Sequence, residues 1–108
     1  MRKRVTFRAM DHSAIIEDYI NSQLAKVEEF LEHETTPINI EFIVEAGRPH
    51  AHHFAEFRIK SPHYNVVSTY EAQEMYEVID RVIDVAYRNL TEQKQERVDS
   101  RKNTKERF

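Results

Sequence analysis

The chain contains no cysteine, which removes disulfides, thiolate zinc sites and cysteine nucleophiles at once. Its single glycine cannot build a glycine-rich phosphate loop, and no serine stands in a nucleophile-elbow pattern. No apolar run approaches the roughly 20 residues that a membrane span needs. The basic stretch of residues 1–8 is not followed by the apolar region of a secretory signal. The expectation from these absences is a soluble cytoplasmic protein with no membrane contact, no small-molecule substrate and no catalytic centre.

What is present suits one compact domain: 108 residues, 40% of them hydrophobic, supply apolar surface for a single core. The formal net charge of −3 hides an uneven distribution. Residues 1–8 carry four basic groups and no acid, residues 86–108 carry seven basic groups and four acids, and residues 9–85 hold five basic groups and fifteen acids. A surface attracts partners through its local field, over a screening length of roughly 8–10 Å, so an anionic partner is compatible with particular places on this chain.

The longest helical pattern lies in residues 74–90. Met75, Ile79, Val82, Ile83, Ala86 and Leu90 recur at steps of three and four, with acids before them and Arg88, Lys94 and Arg97 toward the C-terminal end, where cations oppose the helix dipole. A second helical stripe, Ile16, Tyr19, Ile20, Leu24, Val27, Phe30 and Leu31, follows the candidate caps Asp11 and Ser13. Period-two alternation marks strands around Val5 and Phe7, from Ile38 to Glu45, around Ala55, Phe57 and Ile59, and across residues 64–70. The order β-α-β-β-β-α predicts an α+β fold, a four-stranded sheet with two helices on one face. Residues 1–98 form the expected domain, and the polar residues 99–108 are expected to lack structure.

Few constellations carry chemistry. His50, His52, His53 and His63 resemble a metal set in type, but adjacent His52 and His53 would point to opposite faces and no orienting carboxylate has a characteristic spacing, so they read as solvated loop histidines. No metal and no cofactor is expected. Asp80 and Asp84 stand four apart on the second helix and read as surface charge pairs with Arg81 and Arg88. If the first strand lies in the sheet, Arg4 and Arg8 project from one face, and alternation allows Arg58 and Lys60 to share it. Arg81, Arg88, Lys94, Arg97, Arg101 and Lys102 would set basic groups along a helical rod, with Asp84, Glu92, Glu96 and Asp99 interleaved.

The run Glu74-Met75-Tyr76-Glu77-Val78-Ile79-Asp80, followed by Arg88-Asn89-Leu90, resembles the D-M-Y-x-A-I-D … R-Q-L signature of the ribosome hibernation-promoting factor and ribosome-associated inhibitor A family. Gln23-Leu24-Ala25-Lys26-Val27-Glu28 is similar to that family's K-x-A-K-L-E on the first helix. The resemblance spans about residues 4–98 and is to the short form, which consists of this domain alone. It implies a double-stranded-RNA-binding-like fold. It also implies a non-enzymatic factor that contacts the small ribosomal subunit and its RNA, blocks translation and stores inactive ribosomes under stress or in stationary phase. Lys26, Arg88, Lys94 and Arg97 are the RNA contacts carried over, with Arg101 and Lys102 in the basic tail. The sequence departs from the family where Val85 replaces a lysine and where Glu92 and Glu96 dilute a basic stretch. The second reading is an interaction module of the same fold that self-associates through Ile43, Phe54 and Tyr64 on the sheet.

Overall fold

The computed structural model describes residues 1–48 and 52–106, with the side chains of Arg48 and of residues 101–106 left out of account. The elements are β1 (Arg2–Arg8), α1 (Ala14–Phe30), β2 (Asn39–Arg48), β3 (His52–Lys60), β4 (Asn65–Ala72) and α2 (Met75–Glu106). They form one sheet in the order β1-β2-β3-β4. β1 and β2 are parallel, and α1 supplies the crossover such a pair requires; the other two pairs are antiparallel.

Local chemistry accounts for the boundaries. Of the two candidate caps, Ser13 takes the role: its hydroxyl accepts from the Ile16 amide at 3.2 Å and satisfies one of the free donors of the first turn of α1. β2 ends in an irregularity between Glu45 and Arg48, where Gly47 has φ +72°, a conformation that costs a residue with a Cβ. α2 continues to Glu106, so the segment from residue 99, expected to be unstructured, is helical over most of its length. The expectation weighed only the lack of anything apolar to bury. A helix already nucleated by packing extends at little cost through residues that include neither Gly nor Pro, and Gln95 adds a side-chain bond to Asp99.

Period decides what the core contains. Ile40, Phe42 and Val44 of β2, Ala55, Phe57 and Ile59 of β3 and Val66 of β4 point to the same side of the sheet. There they meet Ile20, Leu24 and Val27 of α1 and Val78, Ile79, Val82, Ile83, Ala86 and Leu90 of α2, all buried. Each large side chain removed from water contributes about 1.5–3 kcal/mol before entropy is counted. Both helices therefore cover one face. The opposite face carries Arg4, Glu41, Arg58 and Val67 in one cross-strand row, and Thr6, Ile43, Glu56 and Thr69 in the next.

The apolar patch expected on that open face is not assembled. Ile43 does lie there, but its neighbours leave it only 2% exposed, and Tyr64 is buried on the helix side against Phe30. Phe54 is half-buried. Alternation places Ile43 on the outer face, yet long polar neighbours in the adjoining rows can cover a central-strand side chain.

Candidate nucleic-acid interface

α2 is longer than the sheet it packs on. Thirty-two residues make a rod of roughly 48 Å, and beyond Leu90 the helix has no buried stripe of its own. What it meets there is an aromatic cluster. Phe30 from the end of α1 stands edge-on to Tyr64, which precedes β4, with ring centroids 5.4 Å apart, and to Tyr87 of α2 at 5.8 Å. Three cations sit on these rings. Lys26 Nζ lies 5.2 Å from the centroid of Tyr87, Lys94 Nζ 5.5 Å from that of Phe30, and the Arg97 guanidinium 5.1 Å from that of Tyr64. Each such contact contributes about 0.5–1 kcal/mol at an exposed site and keeps the charge near the surface while its aliphatic stem packs.

Three of the expected RNA-contacting residues, drawn from both helices, are thus brought around one aromatic cluster. Their availability differs. Lys26 is held by Asp84 Oδ1 at 2.7 Å, an exposed pair across the two helices. Lys94 is exposed and has no ion-pair partner among the described residues. Arg97 is half-buried: its Nη2 donates to the Tyr64 hydroxyl at 3.1 Å, while Nε and Nη1 are buried without a hydrogen-bond partner. Arg88 is exposed, also without an ion-pair partner among the described residues, and does not belong to the aromatic cluster. The side chains of Arg101 and Lys102 fall outside the described residues.

The two aspartates of α2 do not pair along their own helix as their spacing predicts. Asp84 reaches Lys26, and Asp80 accepts from the Tyr19 hydroxyl at 2.6 Å. Both lie on the side of α2 that faces α1, so partners from the other helix replace the i, i+4 arginines. Hydrogen bonding to Asp80, then burial, then the charge of Asp80 and the nearby Tyr76 push the Tyr19 phenol up to about 12. These contacts set the separation of the helices that carry the cations.

Two further ties frame the cluster, and neither was visible in sequence. Gln93 accepts from the Asn65 amide at 3.3 Å and donates to the Asn65 carbonyl at 3.0 Å, joining α2 to the start of β4. Glu34, in the loop after α1, accepts from the Ser61 hydroxyl, from the His63 amide at 3.0 Å and from the Thr35 amide at 2.8 Å, and its carboxylate lies 2.7 Å from His63 Nδ1. Burial alone would raise the Glu34 carboxyl, but the hydrogen bonds of Ser61, His63 and Thr35 outweigh it and bring it to about 2. His63 is accordingly at the β3–β4 turn, whereas His52 and His53 begin β3. The nine residues of that strand separate the two ends by roughly 27 Å, too far for shared coordination. His50 lies outside the described residues.

The sequence matches the profile of the sigma 54 modulation protein / S30EA ribosomal protein family over residues 4–98. The chain belongs to this family. It is thereby placed among ribosome-associated proteins, the class that the Met75-Tyr76 and Arg88-Asn89-Leu90 motifs led us to expect. The fold agrees: the N-terminal domain of Thermus thermophilus Protein Y superposes with a TM-score of 0.68 at 21% identity, covering 88% of this chain and 98% of that one. A ribosomal subunit interface protein from Coxiella burnetii gives 0.69 at 18% identity, covering 88% and 99%. At these identities the likeness concerns the fold. No curated protein sequence matches the chain. No helix among the described residues is long and apolar enough to cross a membrane.

The aromatic residues of this S30EA-family domain were the part of the site that pattern reading missed. Phe30 read as a core position at helical spacing and Tyr64 as part of a strand, and Tyr87 was given no role. The available signal was the pairing of each with a cation across elements, which only the fold reveals.

Proposed function

We propose that the chain is a ribosome-binding factor that holds small-subunit RNA against its helix face and so blocks translation, keeping ribosomes inactive under stress or in stationary phase in the cytoplasm. Family membership supports association with the ribosome. The observation that carries the RNA contact is the convergence of Lys26, Lys94 and Arg97 on the Phe30–Tyr64–Tyr87 cluster, with Arg88 exposed nearby. Arg97, half-buried and tied to the Tyr64 hydroxyl, is fixed at that cluster, where its charge adds to the local positive field. Arg101 and Lys102 extend the same basic contact along α2 in this reading. Recognition is of shape and backbone charge, without base readout.

Co-sedimentation with small subunits across a salt series tests this. Binding should weaken steeply as salt rises, because each phosphate contact releases condensed counterions. Arg88→Glu with Lys94→Glu should remove most of it. Binding that persists in that variant with an unchanged salt slope rejects the helix face as the contact.

A further inference from the structure

The face of the sheet that no helix covers has a charge pattern of its own. At the corner where β1 and β2 begin and β3 ends, Arg2, Arg4, Arg58 and Lys60 surround a depression of about 410 Å³ whose remaining wall is Asn39, Ile40 and Glu41. The register explains the grouping. Arg2, Asn39 and Lys60 form one cross-strand row, and Arg4, Glu41 and Arg58 the next, so alternate residues of two strands flank the central β2. All four cations are exposed. Two carboxylates stand against them. Glu56 lies 3.0 Å from Arg58, and Glu41, half-buried, sits between Arg4 and Arg58. Arg2, Arg4 and Lys60 have no ion-pair partner among the described residues. A local excess of positive charge therefore remains on a chain whose total is −3.

The spacing is as informative as the sign. Neighbouring same-face residues on a strand are about 6.6–6.8 Å apart, and β1 and β3, two strands apart, are separated by about 9.5 Å. Arg2 with Arg4, and Lys60 with Arg58, thus make two short parallel rows at a pitch comparable to successive phosphates along a nucleic-acid strand. Guanidinium groups bind such oxygens in bidentate fashion, and a groove between the rows leaves room for a backbone to pass. The lining is too polar and too open for an apolar ligand to displace water from it.

We infer that this corner of the open sheet face holds the sugar–phosphate backbone of an RNA segment. The inference takes RNA as the partner from the proposed function but does not depend on the helix face being a contact. Together with a helix-face contact, this corner would set the domain between two RNA elements.

The test compares Arg4→Gln/Arg58→Gln with Arg88→Gln/Lys94→Gln and with the four-site combination. The probes are small ribosomal subunits and a labelled single-stranded RNA of about 16 nucleotides. Removing two phosphate contacts should lower the slope of log affinity against log salt by about 1.4 for the single strand and weaken binding about tenfold near physiological salt. The loss should appear equally in the wild-type and helix-variant backgrounds, as two independent surfaces require. Arg58→Lys should retain most of the affinity, and unchanged thermal melting of the sheet variant would confirm that the fold is intact. An unchanged slope in the sheet variant overturns the inference while leaving the helix-face reading standing. Loss in the sheet variant alone supports the inference and rejects the helix face. A poly-glutamate peptide binding as tightly as the RNA would overturn RNA as the occupant.

Discussion

The Tyr19–Asp80 hydrogen bond joins α1 to α2 across 61 residues of sequence, and breaking it gives a readout that belongs to this contact alone. The bond is 2.6 Å long, and Tyr19 also stands edge-on to Tyr76 with ring centroids 4.7 Å apart. With the phenol moved from 10.0 to about 12, two pKa steps would correspond to about 2.7 kcal/mol if fully expressed. Partial exposure of Tyr19 screens the interaction, so about 1–2 kcal/mol is the magnitude expected, in the range of a hydrogen bond to a charged group. The folded pKa lies above the unfolded one. The contribution is therefore complete below pH 10 and lost as pH rises through about 12. Phenolate absorbance should show one of the five tyrosines titrating last. That step should vanish in Tyr19→Phe and move back toward 10 in Asp80→Asn. Denaturant melts of both single variants and the double variant should give a coupling of about 1 kcal/mol or more at neutral pH. A late-titrating tyrosine that survives Tyr19→Phe, or a coupling of zero, would refute the reasoning.

Glu34 titrates in the opposite sense: its carboxyl is held near 2 against an ordinary 4.5, so its contribution is present above about pH 4.5 and disappears as pH falls through about 2. Glu34→Gln should cost about 1–3 kcal/mol at neutral pH and flatten the acid limb of a stability–pH curve, and an acid limb identical to wild type would contradict this. Asp84→Asn should lower stability by no more than about 1 kcal/mol, because the pair with Lys26 is exposed. By freeing that lysine and removing one negative charge, it should also tighten RNA binding at low salt, measurable by anisotropy. Gly47→Ala meets no atom within 4 Å of the added Cβ, so its cost is the left-handed backbone alone, about 1–2 kcal/mol by chemical denaturation.

Sequence by itself determined the elements, because what makes them is local. A 3.6-residue period names the buried stripes of α1 and α2, and a period of two sorts the residues of β2 and β3 onto two faces. The family followed from short contiguous motifs, and the candidate cations Lys26, Lys94 and Arg97 followed with it. Even the sharing of one sheet face by Arg4, Arg58 and Lys60 was legible, since alternation fixes direction once strands are paired. What only the tertiary structure decided are the partners. Lys26 meets Asp84 from 58 residues away and Tyr19 meets Asp80 from 61 away, and no local period encodes such pairings. The same holds for the cover over Ile43, the burial of Tyr64 beneath Arg97, and the loop carboxylate of Glu34 that gathers Ser61 and His63. These depend on which surfaces packing brings within a few ångströms, and that proximity determines which positive charges are neutralised inside the molecule and which are left exposed.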